Sequence, residues 1–97
     1  MGSLTHRRRG DVRYTISAGI SWTRHDEGAS TRWTGELHGF ITSITTVLGS
    51  GQYSWEVLVD DPVNPEKIGS GDIQAQAFWY AAERVRTAIN KRVGDID

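Results

Sequence analysis

The chain has 97 residues, of which 37% are hydrophobic, with eleven Lys and Arg against twelve Asp and Glu and a net charge of −1. That length admits one domain, and the near balance of charge excludes a whole-surface electrostatic footprint for nucleic acid or anionic membrane. The absence of cysteine excludes disulfides, thiolate metal sites and a cysteine nucleophile, and no apolar run approaches the roughly 20 residues of a membrane helix.

Charge is unevenly placed. Arg7, Arg8, Arg9 and Arg13 stand against Asp11 near the start, whereas the rest of the chain is mildly acidic. Residues 1–11 therefore read as a flexible basic arm, 12–93 as a single domain and 94–97 as a frayed end. The first ten residues lack the apolar stretch and small-residue cleavage site of a secretory signal. With the lack of cysteine, that predicts a cytoplasmic location. Nine arginines against two lysines, Lys67 and Lys91, fit a GC-rich source.

In segment 12–23, Val12, Tyr14, Ile16, Ala18, Ile20 and Trp22 alternate with Arg13, Thr15, Ser17, Gly19, Ser21 and Thr23. Period two predicts one half-buried strand, followed by a polar turn over 24–30. Segment 31–48 is rich in β-branched residues and predicts a second long strand. Its apolar parity changes midway: Trp33, Leu37 and Ile41 share one face, Phe40, Ile44 and Leu48 the other. Gly39 at the changeover predicts a bulge or bend. After the Gly49-Ser50-Gly51 turn, Tyr53, Trp55, Val57 and Val59 predict a strand in a hairpin with the preceding one. Both prolines fall in 60–66, a loop, with room for a short strand at 66–69. A helix is predicted over about 72–93, capped by Ser70 or Asp72, with Phe78, Ala81, Ala82, Val85 and Ile89 on one stripe. The expected fold class is α+β: a curved antiparallel three- to four-stranded meander packed against one long C-terminal helix.

Templates for bound ions and nucleotides fail. The Asp60–Glu66 loop has Pro65 where a calcium loop needs glycine and Gly71 where it needs glutamate. Gly69-Ser70-Gly71 lacks the third glycine of a dinucleotide fingerprint and the Gly-Lys-Ser/Thr of a P-loop. His6, His25 and His38 have no metal-like spacing, and no nucleophile elbow is present. The sequence thus predicts no cofactor, no metal and no catalytic residues.

Trp55-Glu56-Val57-Leu58-Val59, Gly69-Ser70-Gly71 and an alanine-rich helix with Ala77, Ala81 and Ala82 together resemble short actinobacterial and bacteriophage accessory proteins of unassigned role. The resemblance covers residues 32–90 and implies a small protein that acts by binding another macromolecule. The element order is also similar to plant AP2 domains and integrase arm-binding domains, which dock a three-stranded sheet in the major groove. Those sheets present rows of arginine, whereas the polar parities here offer Thr15, Ser17, Ser21, Ser54 and Glu56, with Arg13 alone at one end.

The functional expectation is a non-catalytic module with a protein partner, of the kind a phage uses on a host protein. Trp79 beside Arg86 on one shoulder of the helix and Tyr80 on its other flank are its candidate contacts, with Trp33 as an outlier, because tryptophan beside arginine is typical of interface anchors. The alternative is nucleic-acid binding through Arg7, Arg8, Arg9 and Arg13. No membrane association is expected. An open edge strand or the Thr/Ser-rich sheet face provides a route to a homodimer.

Overall fold

Tight turns divide the extended part of the chain more finely than its alternation suggests. The computed structural model describes residues 13–94, in which six strands, β1 (Arg13–Ser17), β2 (Ile20–Glu27), β3 (Ser30–Leu37), β4 (Phe40–Val47), β5 (Gln52–Val59) and β6 (Lys67–Gln74), precede one helix, α1 (Phe78–Gly94). The strands form one antiparallel sheet in sequence order. The expected α+β class is present, but with six strands in place of three or four.

The difference lies in the two-residue turns. Ala18-Gly19 and His38-Gly39 have positive φ at both residues (56° and 75°, 52° and 82°), as type I′ hairpins require. Ser17 then pairs with Ile20 and Leu37 with Phe40, each pair on one face of the sheet. A two-residue loop puts residues i and i+3 on one face, whereas a continuous strand does so for i and i+2. The parity change at Gly39 is therefore a complete chain reversal, not a bend. The uninterrupted alternation of 12–23 conceals the opposite event. Ala18-Gly19 turns the chain back, so Tyr14 and Ile16 face away from Ile20 and Trp22 and are 75% and 78% exposed. The expected turn over 24–30 is confined to Gly28-Ala29, with β2 running on to Glu27.

The second correction concerns Gly69-Ser70-Gly71-Asp72, which lies inside β6 and does not lead into the helix. A Cβ on Gly69 would lie 3.1 Å from Trp55 Cζ3 and 3.2 Å from Ala88 Cβ, and one on Gly71 would lie 3.1 Å from Trp55 Nε1. The two glycines make β6 smooth enough for the indole to lie across it and for the helix to approach. The helix accordingly starts at Phe78, with no acidic residue in its first turn. Its start is fixed by packing: Phe78 stacks on Trp33 at 4.6 Å and meets the edge of Trp22 at 6.0 Å.

The predicted helical stripe is the buried one: Ala81, Ala82, Val85 and Ile89 pack with Ile20, Trp22, Trp33, Ile44 and Val57 from the inner sheet face. Small alanines let the helix sit close to the sheet, and it packs chiefly over β4, β5 and β6. Thr42 is also wholly buried in this layer, and its Oγ1 has no hydrogen-bond partner. An unsatisfied buried hydroxyl costs stability, and valine has the same shape without it. Thr42→Val is therefore expected to raise the free energy of unfolding by about 1 kcal/mol in urea titrations; a loss would show that the hydroxyl is satisfied.

Candidate interaction surfaces

Of the residues expected on the helix shoulder, Trp79 and Tyr80 are exposed, at 46% and 40%, and their rings stack on each other at a centroid separation of 3.9 Å. They immediately follow Phe78, which points into the core, so the rigid start of the helix carries them. Arg86 is engaged within the fold. Its Nη1 donates to the carbonyl of Ala18 at 2.7 Å and its Nε to Asn90 Oδ1 at 2.9 Å. The guanidinium thereby ties the β1–β2 turn to the helix. Trp33 is only 8% exposed. It lies between Phe78 and Tyr53 in the core, with Arg24 over its ring at 5.8 Å. The structure thus brings Trp79 and Tyr80 together at the surface and separates them from the duties of Arg86 and Trp33.

The sheet face turned away from the helix is uncovered among the described residues. Strand register lines up Thr23, Thr34, Ser43, Glu56 and Ser70 in one row and His25, Arg32, Thr45, Ser54 and Asp72 in the next. Sequence alternation finds part of this surface, since Ser21, Ser54 and Glu56 belong to it. Thr15 and Ser17, however, pair with Trp22 and Ile20 and belong to the helix side. Two shallow depressions occupy this face. One, of about 360 Å³, lies around Ser43, Ser54, Glu56 and Asp72, and another, of about 500 Å³, around Thr23, Thr34, Glu36 and Asp60.

Among the described residues the cations here are Arg32, paired with Glu27 at 3.3 Å, and Lys67, paired with Glu56 at 3.1 Å. With Glu36, Asp60 and Asp72 beside them, the face is acidic. Such a surface repels a phosphate backbone, unlike the arginine rows of groove-docking sheets. His25 Nε2 lies 3.2 Å from Thr34 Oγ1 on the same face, and His38 occupies a turn. Among the described residues no three His, Asp or Glu side chains cluster as metal ligands, and no helix is long and apolar enough to cross a membrane. Arg7, Arg8 and Arg9 lie outside the described residues, and Arg13 opens β1.

Two carboxylates have perturbed acidity. Glu36 is held above its ordinary value of 4.5 by a side-chain hydrogen bond with Asp60, reinforced by the negative charge of that neighbour. Asp61 is held below its ordinary value of 3.8 because its Oδ1 accepts the backbone N–H groups of Val63 and Asn64, at 2.9 and 3.1 Å. The signs oppose each other. The Glu36 pair favours the folded state as pH falls through the raised value towards 4.5 and opposes it above that window. The Asp61 turn helps above 3.8 and is lost as pH falls further, through the depressed value. Glu36→Gln is therefore expected to raise the melting temperature at pH 7, with the gain shrinking near pH 4.5, as thermal scans by circular dichroism can test.

The architecture defined here is an open-faced six-stranded antiparallel meander carrying a single helix. Comparison with protein-family models, curated proteins and solved structures finds no match to this chain.

Proposed function

We propose that the chain is a non-catalytic binding module that engages a protein partner through Trp79 and Tyr80, in the manner of a phage accessory protein that modulates a host protein. The observation that supports this reading is the stacked aromatic pair at the start of α1, held in the open by the packing of its neighbour Phe78 against the core. Tryptophan and tyrosine offer large contact areas for little side-chain entropy, and they dominate binding energy where they occur in interfaces. The pair forms no part of the buried core, so its removal is expected to leave the fold intact.

The test is affinity capture from a host lysate with wild type and the Trp79→Ala/Tyr80→Ala variant, followed by titration of the recovered partner. Loss of a hot spot weakens binding by at least about 2 kcal/mol, roughly 30-fold. Recovery of the same partners with equal affinity rejects the site. The nucleic-acid alternative rests on the basic arm, and the acidity of the open sheet face gives it no support. It predicts retention on DNA or RNA at about 50 mM salt that falls steeply as salt rises and weakens in an Arg7/Arg8/Arg9→Ala variant.

A further inference from the structure

The two ends of the sheet are protected very differently. At one end β6 carries Lys67 and Asp72, its pairing with β5 is irregular near Val57 and Leu58, and α1 packs against it. Charges, irregular pairing and a covering helix are the usual means of keeping a free sheet edge from recruiting another strand. At the other end, β1 continues from Arg13 as Tyr14-Thr15-Ile16-Ser17, with neither charge nor proline. Tyr14 and Ile16 are among the most exposed large hydrophobic residues of the described chain.

The backbone of β1 sharpens this contrast. Ser17 and Ile20 flank a two-residue loop, so they exchange both N–H···O=C bonds. Bonded and non-bonded pairs alternate along an antiparallel ladder. Thr15 is therefore bonded to Trp22, while Tyr14 and Ile16 occupy non-bonded positions opposite Thr23 and Ser21. Their N–H and C=O groups consequently point out of the sheet, towards an edge on which no other strand of the described residues pairs. The strand is also held firmly from behind: Trp22 Nε1 donates to the Ser17 carbonyl at 3.1 Å, and Arg86 to that of Ala18 at 2.7 Å.

We propose that β1 pairs antiparallel with β1 of a second copy of this chain, about a two-fold axis through Thr15. That register sets Tyr14 opposite Ile16 of the other copy, and Ile16 opposite its Tyr14. All four residues then face each other through their free backbone groups, closing four hydrogen bonds. Their side chains meet on the same face as two aromatic–aliphatic cross-strand pairs. An isologous contact of this kind needs a self-complementary strand, and a centre at Thr15 makes β1 self-complementary in both backbone and side chains. The result is a continuous twelve-stranded sheet with both helices on one side. Five residues of edge bury less than the roughly 1,200 Å² of a standard stable interface, so the dimer is reversible and dependent on concentration.

A disulfide trap tests the register directly, because the chain has no cysteine of its own. Thr15 faces its own copy across a non-bonded pair, with Cα atoms about 4.5 Å apart, inside the disulfide range of about 4.4–6.8 Å. The two copies of Ser17 stand about 14 Å apart, four strand residues out of register. Under mild oxidation Thr15→Cys is expected to form a covalent dimer at least about tenfold faster than Ser17→Cys, since pairing raises the local thiol concentration. Ile16→Lys, added to Thr15→Cys, is expected to abolish that advantage while leaving the far-ultraviolet circular dichroism unchanged. Equal rates for Thr15→Cys and Ser17→Cys overturn the proposal, as does a Thr15→Cys rate that a folded Ile16→Lys variant does not lower. Should Ile16→Lys fail to fold, the comparison of the two cysteine variants decides alone.

Discussion

Trp22→Ala is expected to cost about 3–5 kcal/mol, the range for removing a large aromatic from a packed interior. The indole is wholly buried, meets Phe78 edge to face at 6.0 Å and ties β2 to the end of β1 through the Ser17 carbonyl. Alanine loses all three contributions and leaves a void between sheet and helix. A domain of this size is stable by only about 5–15 kcal/mol, so the variant should lose a large share of its stability. Urea titration followed by circular dichroism reads this loss without depending on tryptophan emission. A change below about 1 kcal/mol would be that of a surface position and would contradict the burial of Trp22.

Gly35→Ala should go against the ordinary rule for strands. Replacing glycine by alanine normally helps by about 0.5–1 kcal/mol, because alanine has less backbone freedom to lose. Here an added Cβ would lie 2.8 Å from Ile20 Cγ2, 2.9 Å from the Ser21 carbonyl oxygen and 3.2 Å from Thr42 Oγ1. The carbonyl belongs to the neighbouring strand and cannot move without disturbing the ladder. Overpacking of this kind costs about 1–3 kcal/mol, so a net loss is expected, seen as a lower urea midpoint with an unchanged slope. Gly28→Ala and Gly39→Ala meet no crowding, and their expected losses come only from positive φ at those turns.

These two positions also show what could be read from the sequence. The buried stripe of α1 was legible because a period of 3.6 over Phe78–Ile89 has no competing explanation. The strands were legible as extended chain, but not their number. Alternation reports the face of each residue only within one strand, and a two-residue turn shifts it by one. At Gly39 that shift appeared as a change of parity and admitted a bend. At Ala18-Gly19 it left no trace, because hydrophobic Tyr14 and Ile16 occupy solvent positions. Gly35, Gly69 and Gly71 have their reasons in other strands: the Ser21 carbonyl for the first, the Trp55 ring for the other two. Those partners become neighbours only when the sheet forms. The candidate site was legible in part. Trp79 and Tyr80 lie off the apolar stripe and are exposed, whereas Arg86 and Trp33 have partners, Ala18 and Phe78, far away in sequence.

Every strand pairs with the one that precedes or follows it, and three of the five connections between strands are only two residues long. Loop closure therefore costs little entropy at each step, and the sheet has an unusually low contact order for so much β structure. Hairpins can form independently and zip together, while the docking of α1 across β1, β4, β5 and β6 supplies the distant contacts. Truncations on the helix stripe, such as Val85→Ala, should then accelerate unfolding more than they slow folding. A helix that arrives late is also the first to leave, and its departure would bare the inner sheet face while the hairpins still stand.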